Sequence, residues 1–394
     1  MTLVRLGDVA ELRSGFMFKS SDWRESGVPV VKIGNVKPGY ISLDGCSYVD
    51  EATAEKASGF ELKPDDVVLA MTGYVGEVAI VGPVGRALLN QRVGRFIVSK
   101  PSVLDKKYLF YFLRQESTKA SMVSMAHGSA QANLSSAAVL SMMLSLPSLV
   151  EQRAIAEVLG ALDDKIAANT KLAETIEQLG RAKLTRLGIN EEPEGESVFL
   201  DAYFDFNPRR STVCDETVLI DMQALPTSQP LVSRWSKGPK RGGTRFMNGD
   251  TLLARITPCL ENRKTGFVDF LNDGEVGIGS TEFIVVRSRE GIPLGTSYFV
   301  ATSDRFRDFA IQNMVGTSGR QRVSAADIAR FELNPIAAAD LVEFGEWADA
   351  NLKVLGALRD ENRALAATRD ALLPQLMSGK LRVKDIEHTM GEMV

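Results

Sequence analysis

Apolar and polar positions along this chain follow two rhythms, and each rhythm occurs twice. Ile155, Val158, Leu162, Ile166, Leu172, Ile176 and Leu179 recur mostly at steps of three, four and seven, the spacing of one helix face. Leu341, Phe344, Leu355, Leu358, Leu365, Leu372 and Leu376 repeat that stripe near the C-terminus. Gly188 and Gly379 follow the two stripes and supply the left-handed residue that ends a helix. Two helices of about 35 residues, each about 50 Å long, are therefore expected. A stripe of this kind fits a helix packed on its own globule. Matching stripes interrupted by Asn169, Asn351 and Asn362 fit better two helices packed on each other, with buried amides fixing register.

The second rhythm is of short apolar runs bounded by Gly, Pro and Asp, which reads as strands. Residues 28–33, 66–71, 75–81 and 95–98 are such runs, and the apolar stretch 108–114 reads as a buried helix. Residues 250–255, 282–286 and 298–301 repeat the order, and Pro335 answers Pro147 at the close. The phrase Val158-Leu159-Gly160-Ala161-Leu162-Asp163-Asp164 returns as Val354-Leu355-Gly356-Ala357-Leu358-Arg359-Asp360, 196 residues later. The chain is thus a diverged direct repeat of a β-rich segment and a long helix, an α+β arrangement. Two similar modules in one chain mimic a twofold dimer and suit a ligand with two separated sites.

Composition narrows the classes. With 44% hydrophobic and 24% charged residues in 394, the chain reads as a soluble folded protein of two ordinary domains. No charged-then-apolar leader and no apolar run of about 18 residues is present, so no membrane contact and a cytoplasmic location are expected. Cys46, Cys214 and Cys259 are scattered, and His127 and His388 are too far apart for a metal cluster. The net charge of −4 argues mildly against nucleic acid, but residues 208–264 hold ten Lys/Arg against five acids.

No phosphate-binding loop and no Ser/His/Asp or Cys/His constellation is legible. Phe206-Asn207-Pro208-Arg209 is similar to the Asn-Pro-Pro-aromatic turn of amino-methyltransferases, but Arg209 and Arg210 stand where the second proline and the aromatic belong. What the β-rich segments do carry is matched polar loops. The first has Thr72 and Tyr74, then Asn90, Gln91 and Arg92, then Gln131 and Asn133. The second has Arg255 and Thr257 with Asn262, Arg263 and Lys264, then residues 279–282, then Arg320, Gln321 and Arg322. Arg reads guanine with two hydrogen bonds, and Asn and Gln read adenine. Arg255 and Gln321 are the expected base readers. Lys237, Lys240, Arg241 and Lys264 are the expected phosphate contacts. Any one of these residues also fits an ordinary solvated loop; the reading rests on both segments carrying the same kind of loop.

At this point the chain resembles the specificity subunits of type I restriction–modification systems over nearly its whole length. The resemblance is carried by Leu6-Gly7-Asp8-Val9, by Leu62-Lys63-Pro64-Asp65-Asp66-Val67-Val68, by Leu146-Pro147-Ser148-Leu149-Val150-Glu151-Gln152-Arg153, and by Leu373-Pro374-Gln375-Leu376-Met377-Ser378-Gly379. The second copy departs from the pattern, with Ala337-Ala338-Ala339-Asp340 where Glu-Gln-Arg is expected. The resemblance implies target-recognition domains at 1–148 and 190–336, spacer helices at 149–189 and 337–382, and a tail at 383–394. The helices would form an antiparallel coiled coil that sets an unread gap. Each domain would read one half of an asymmetric target on double-stranded DNA. The chain would be non-catalytic and bind no cofactor. It would dock two methyltransferase subunits, and through them restriction/motor subunits; S-adenosylmethionine, ATP and Mg would belong to those partners. Acidic residues expected on outward helix faces, Asp163, Asp164, Glu174 and Glu177, are candidates for that docking. Two other readings stay open on the residues alone: a DNA-processing enzyme with an unrecognised metal-dependent site, and a coiled-coil protein scaffold.

Overall fold

The computed structural model describes residues 2–83, 85–126, 132–210, 214–317 and 319–385. The chain divides into two compact units, Met1–Asp164 with Leu365–Val394, and Lys165–Ala364. Each unit therefore joins one β-rich segment to part of both long helices.

In the first unit a six-stranded sheet runs in the order Ala10–Ser14, Val93–Val98, Val67–Ala70, Val78–Ile80, Gly39–Ile41, Val36–Lys37. A four-stranded sheet runs Leu88–Leu89, Val28–Val31, Ser47–Val49, Trp23–Arg24. The second unit repeats the plan with four-stranded sheets. One is Phe204–Phe206, Phe283–Ser288, Thr251–Ala254, Thr265–Phe267; the other is Ser236–Pro239, Glu216–Ile220, Gly277–Gly279, Thr244–Phe246. Each unit has one matching parallel contact, Val30 opposite Leu88 in the first and Leu219 opposite Ile278 in the second. Each β-rich segment is also closed by its own ends. Thr2–Arg5 pairs antiparallel with Met143–Leu146, and Val198–Phe199 with Glu332–Leu333. The sequence reading did not find these closing strands.

The stretch expected as a buried helix is one. Lys106–Arg114 is capped by Asp105, whose carboxylate accepts from the Lys107 and Tyr108 amides, and Tyr108 through Leu113 are buried. Its counterpart Thr296–Ala301 is buried at every residue.

The long helices are Leu149–Arg186, of 38 residues, and Ala338–Ser378, of 41. Gly188 and Gly379 end them at φ +77° and +71°. In the first unit Ile155 and Leu159 share a core with Leu373, Leu376, Phe96 and Tyr108. In the second, Asn169 Nδ2 donates to Glu361 Oε2 at 2.7 Å and to Asn362 Oδ1 at 2.9 Å, while Lys183 Nζ lies 5.6 Å from the Trp347 ring centre. Residue numbers rise on one helix as they fall on the other, so the pair is antiparallel. Asn169 is buried, and its two bonds define a polar pairing that a slipped register would break. Asn351, expected in the same role, donates instead to the Trp347 carbonyl of its own helix.

The two helix starts differ, as their sequences do. Gln152 is fully buried; its amide donates to the Val103 and Pro147 carbonyls and accepts from the Asp105 amide. Near the second start the Tyr203 hydroxyl accepts from the Ile336 amide, and Leu341 and Phe344 are buried.

The expectation of outward acidic faces needs correction at two of four positions. Asp163 is half-buried, accepting from Tyr111 Oη at 2.9 Å, Arg114 Nη1 at 2.7 Å and Arg369 Nη1 at 2.6 Å. Glu177 accepts from Tyr298 Oη at 3.3 Å, and burial pushes its carboxyl pKa up. These helices pack on each other and on the β-rich segments, so more of their circumference is covered than the apolar stripe suggests. Asp164 and Glu174 are exposed as expected.

Gly180 shows how close that packing is: a Cβ there would stand 2.1 Å from Phe299 Cε1. Gly180→Ala is expected to lower stability by about 1–3 kcal/mol through overpacking, despite the better helix propensity of alanine. Denaturant titration of the two proteins checks it.

Candidate nucleic-acid interface

Three chain segments in each unit are stitched together by main-chain bonds. In the first, the Met71 amide donates to the Arg92 carbonyl at 3.1 Å and the Leu134 amide to the Met71 carbonyl at 2.8 Å. Thr72 and Asn133 form an isolated antiparallel bridge. The loop after strand Val67–Ala70, the loop before strand Val93–Val98 and the segment before helix Ser136–Leu140 therefore meet. Ser135 caps that helix by accepting from the Ala138 amide. An open cleft of about 560 Å³ lies there, lined by Ser14, Thr72, Gln91, Arg92, Asn133 and Ser135 among others.

The second unit repeats the stitching. The Arg255 amide donates to the Glu282 carbonyl at 3.0 Å and the Val323 amide to the Arg255 carbonyl at 3.0 Å. Ile256 and Arg322 form the bridge, and Ser324 caps helix Ala325–Ala329. Met71 thus corresponds to Arg255, Arg92 to Glu282 and Asn133 to Arg322. Main-chain bonds hold these loops whatever their side chains, so recognition groups can vary over a constant frame. The first cleft presents a guanidinium and two amides. The matching loops of the second unit bring Arg255, Glu282 and Arg322 together. The hydrogen bonds from Arg322 hold the Glu282 carboxyl pKa below that of an ordinary glutamate.

Of the residues expected at an interface, Thr72, Gln91, Arg92 and Asn133 come together in the first unit's cleft, and Arg255 and Arg322 at the matching loops of the second unit. Tyr74 is 60% exposed. Asn90 is buried, and its Oδ1 accepts from the Arg92 amide, so it shapes the turn from which Gln91 and Arg92 project. Gln131 lies outside the described residues. Thr257 donates its amide to the Gln321 carbonyl at 3.0 Å; Gln321 and Thr257 are half-buried, and Arg320 and Asn262 are exposed. Arg263 pairs with Asp304 at 3.1 Å. Lys264 departs from the expectation of a phosphate contact: its ammonium donates to the Met222 carbonyl, which the sequence could not reveal. Lys237 and Lys240 flank Gly238 and Pro239 on the edge strand Ser236–Pro239, with Arg241 just beyond. All three are exposed and make no ion pair among the described residues. The sequence reading missed Ser14 and Ser135, whose placement depends on long-range stitching; Glu282 stood at the end of the polar loop 279–282 without a role assigned to it.

The Asn-Pro turn is structural. Asn207 takes φ +51°, donates its amide to the Val285 carbonyl, and accepts the Val285 amide on its side-chain oxygen. Arg210 is drawn to the fully buried Asp250, as is Arg287. Among the described residues no group of three His, Cys, Asp or Glu is placed to hold a metal ion, and no helix is long and apolar enough to cross a membrane.

Residues 1–178 match the family described as the type I restriction modification DNA specificity domain. The specificity subunit of the type I restriction enzyme MjaVIII of Methanocaldococcus jannaschii is 35% identical over 181 residues, covering 45% of this chain and 42% of that one. The EcoAI specificity subunit of Escherichia coli is 33% identical over 156 residues, covering 37% and 26%. The chain thus spans less than half the length of these curated relatives. The crystal structure of a type I restriction-modification S subunit from M. genitalium covers 95% of both chains with a TM-score of 0.59 at 14% identity, a likeness of fold.

Proposed function

We propose that this chain, whose residues 1–178 match the type I restriction modification DNA specificity domain, is a specificity subunit that selects the DNA target of a restriction–modification complex. Each unit would read one half of a bipartite, asymmetric sequence in duplex DNA. The chain itself would do no chemistry. It would dock two methyltransferase subunits, and through them restriction subunits, leaving S-adenosylmethionine, ATP and Mg to those partners. The exposed acids Asp164 and Glu174 favour a protein partner over phosphate on those helix faces.

One observation carries this reading: matching loops of the two units are held by the same main-chain stitching and carry different side chains. Thr72 bridges Asn133 in one, and Ile256 bridges Arg322 in the other. A common frame with divergent polar groups is what reading two different short sequences requires.

The test separates reading from holding. Arg255→Ala is expected to cost about 1–3 kcal/mol at one base pair and to relax choice there. Lys240→Ala should weaken all sequences alike and reduce the salt slope by about one. The measurement is competition among single-base variants of the target at two salt concentrations, with the complex of chain and methyltransferase subunits. Uniform weakening by Arg255→Ala would demote it to a phosphate or structural contact.

A further inference from the structure

This inference rests on the DNA-reading function just proposed and concerns the stitched loops of the second unit. Arg322 Nε donates to Glu282 Oε2 at 2.9 Å, and its Nη2 to Glu282 Oε1 at 2.7 Å. Its Nη1 donates to the Arg320 carbonyl at 3.2 Å. A guanidinium has five N–H donors in a planar fork. These bonds engage one on each nitrogen, which leaves one on Nη1 and one on Nη2. The carboxylate takes the Nε–Nη2 edge, so the second Nη2 N–H points from the end away from the aliphatic stem, beside the Nη1 amino group. The Arg322 side chain remains 40% exposed, so that end can be reached. Its backbone is held as well: amide and carbonyl exchange bonds of 2.9 Å with Val315, and Ile256 bridges it. Arg255 adds a second cation acting on the same carboxylate, with its Nε buried and without a hydrogen-bond partner.

We propose that Glu282 is a positioning residue that holds Arg322 end-on to a guanine in the second half-site. Guanine offers two acceptors, N7 and O6, on its major-groove edge, and a fixed pair of parallel donors matches them. Adenine places its N6 amino donor where O6 would be, so the same fork opposes it. The carboxylate contributes in two ways. It removes the side-chain freedom that Arg322 would otherwise lose on binding. It also offsets the cationic charge, so that a phosphate gains less from this arginine than a base does. The first unit has Arg92 where the second has Glu282, and Asn133 where it has Arg322, so this device belongs to one half-site only.

The test is a binding selection, using the chain purified with its methyltransferase subunits and a duplex library randomised over both half-sites. The unaltered complex should enrich a G·C pair at one position attributable to the second unit. Glu282→Gln, which keeps the shape and loses the charge, should reduce that preference about tenfold, within the range of one bidentate contact. Arg322→Ala should abolish it at the same pair, and the double variant should match Arg322→Ala alone. Preference in the other half-site should persist and reports a folded complex. The proposal is overturned if Glu282→Gln weakens every sequence equally, shifts no single position, or acts at a different pair from Arg322→Ala. If Glu282→Gln yields no folded complex, Glu282→Asp decides: it keeps the charge but draws the carboxylate back by one methylene, so an undiminished G·C preference would refute the proposal. Enrichment of no sequence by the unaltered complex would instead overturn the DNA-reading function itself, and this inference with it.

Discussion

Replacing residues 1–147 with the equivalent segment of a relative is expected to change one half of the DNA target and leave the other half as it was. The first cleft is self-contained within that segment: Ser14, Thr72, Gln91, Arg92, Asn133 and Ser135 all fall inside it. The junction also suits exchange. Gln152, just beyond the cut, is satisfied by the main chain of Val103, Asp105 and Pro147, so a grafted segment with other side chains there still supplies its partners. The graft should keep Tyr111 and Arg114, because Asp163 on the retained helix would otherwise lose two donors. A partly buried carboxylate stripped of its partners would destabilise the junction and obscure the readout. Each altered base pair is worth about 1–3 kcal/mol, roughly additively, so three changed pairs move the preference by about 3–9 kcal/mol. Mapping methylated bases in cells that carry the hybrid and its methyltransferase subunits gives the answer. A change in both halves would refute independent reading.

How far the sequence discloses such a design depends on the range of the forces involved. Helix ends at Gly188 and Gly379 were legible because a left-handed residue is a local requirement. So was the buried helix Lys106–Arg114, whose apolar run and Asp105 cap lie within one short stretch. The stitched loops were legible from their positions relative to repeated strands. Their stitching was not: the Thr72–Asn133 and Ile256–Arg322 bridges join residues about sixty apart. Glu282 was legible only as the last residue of the polar loop 279–282, since its meeting with Arg322 is what makes it more than a loop acid. Charge by itself misled at Lys264, whose ammonium is held by the Met222 carbonyl, and at Asp163 and Glu177, which face protein. Periodicity locates one apolar stripe on a helix. It does not reveal polar side chains held on the flanks by a tyrosine or an arginine from another element.

Lengthening both long helices together is expected to lengthen the unread gap between half-sites, if the helix pair sets that gap. Four residues add about 6 Å of helix. At about 3.4 Å per base pair the gap should grow by one or two pairs. The antiparallel pairing dictates that the insertion be matched. Asn169 meets Asn362 and Lys183 lies over Trp347, so four residues added to one helix alone would force one of these meetings out of register. Ala167 and Ala364 are both exposed and stand at nearly corresponding positions of the pair, which makes them the insertion points. Four residues advance a helix about 40° beyond a full turn, so the buried stripe stays close to its original face. Ala173, Ile176 and Gly180 lie further along in close packing and should be left alone. The readout is the spacing between methylated half-sites, with half-site sequences unchanged. Complexes that remain active on the original spacing would overturn the ruler. Activity on the longer spacing, lost again when either insertion is made alone, would establish that the paired helices and not one of them set the distance.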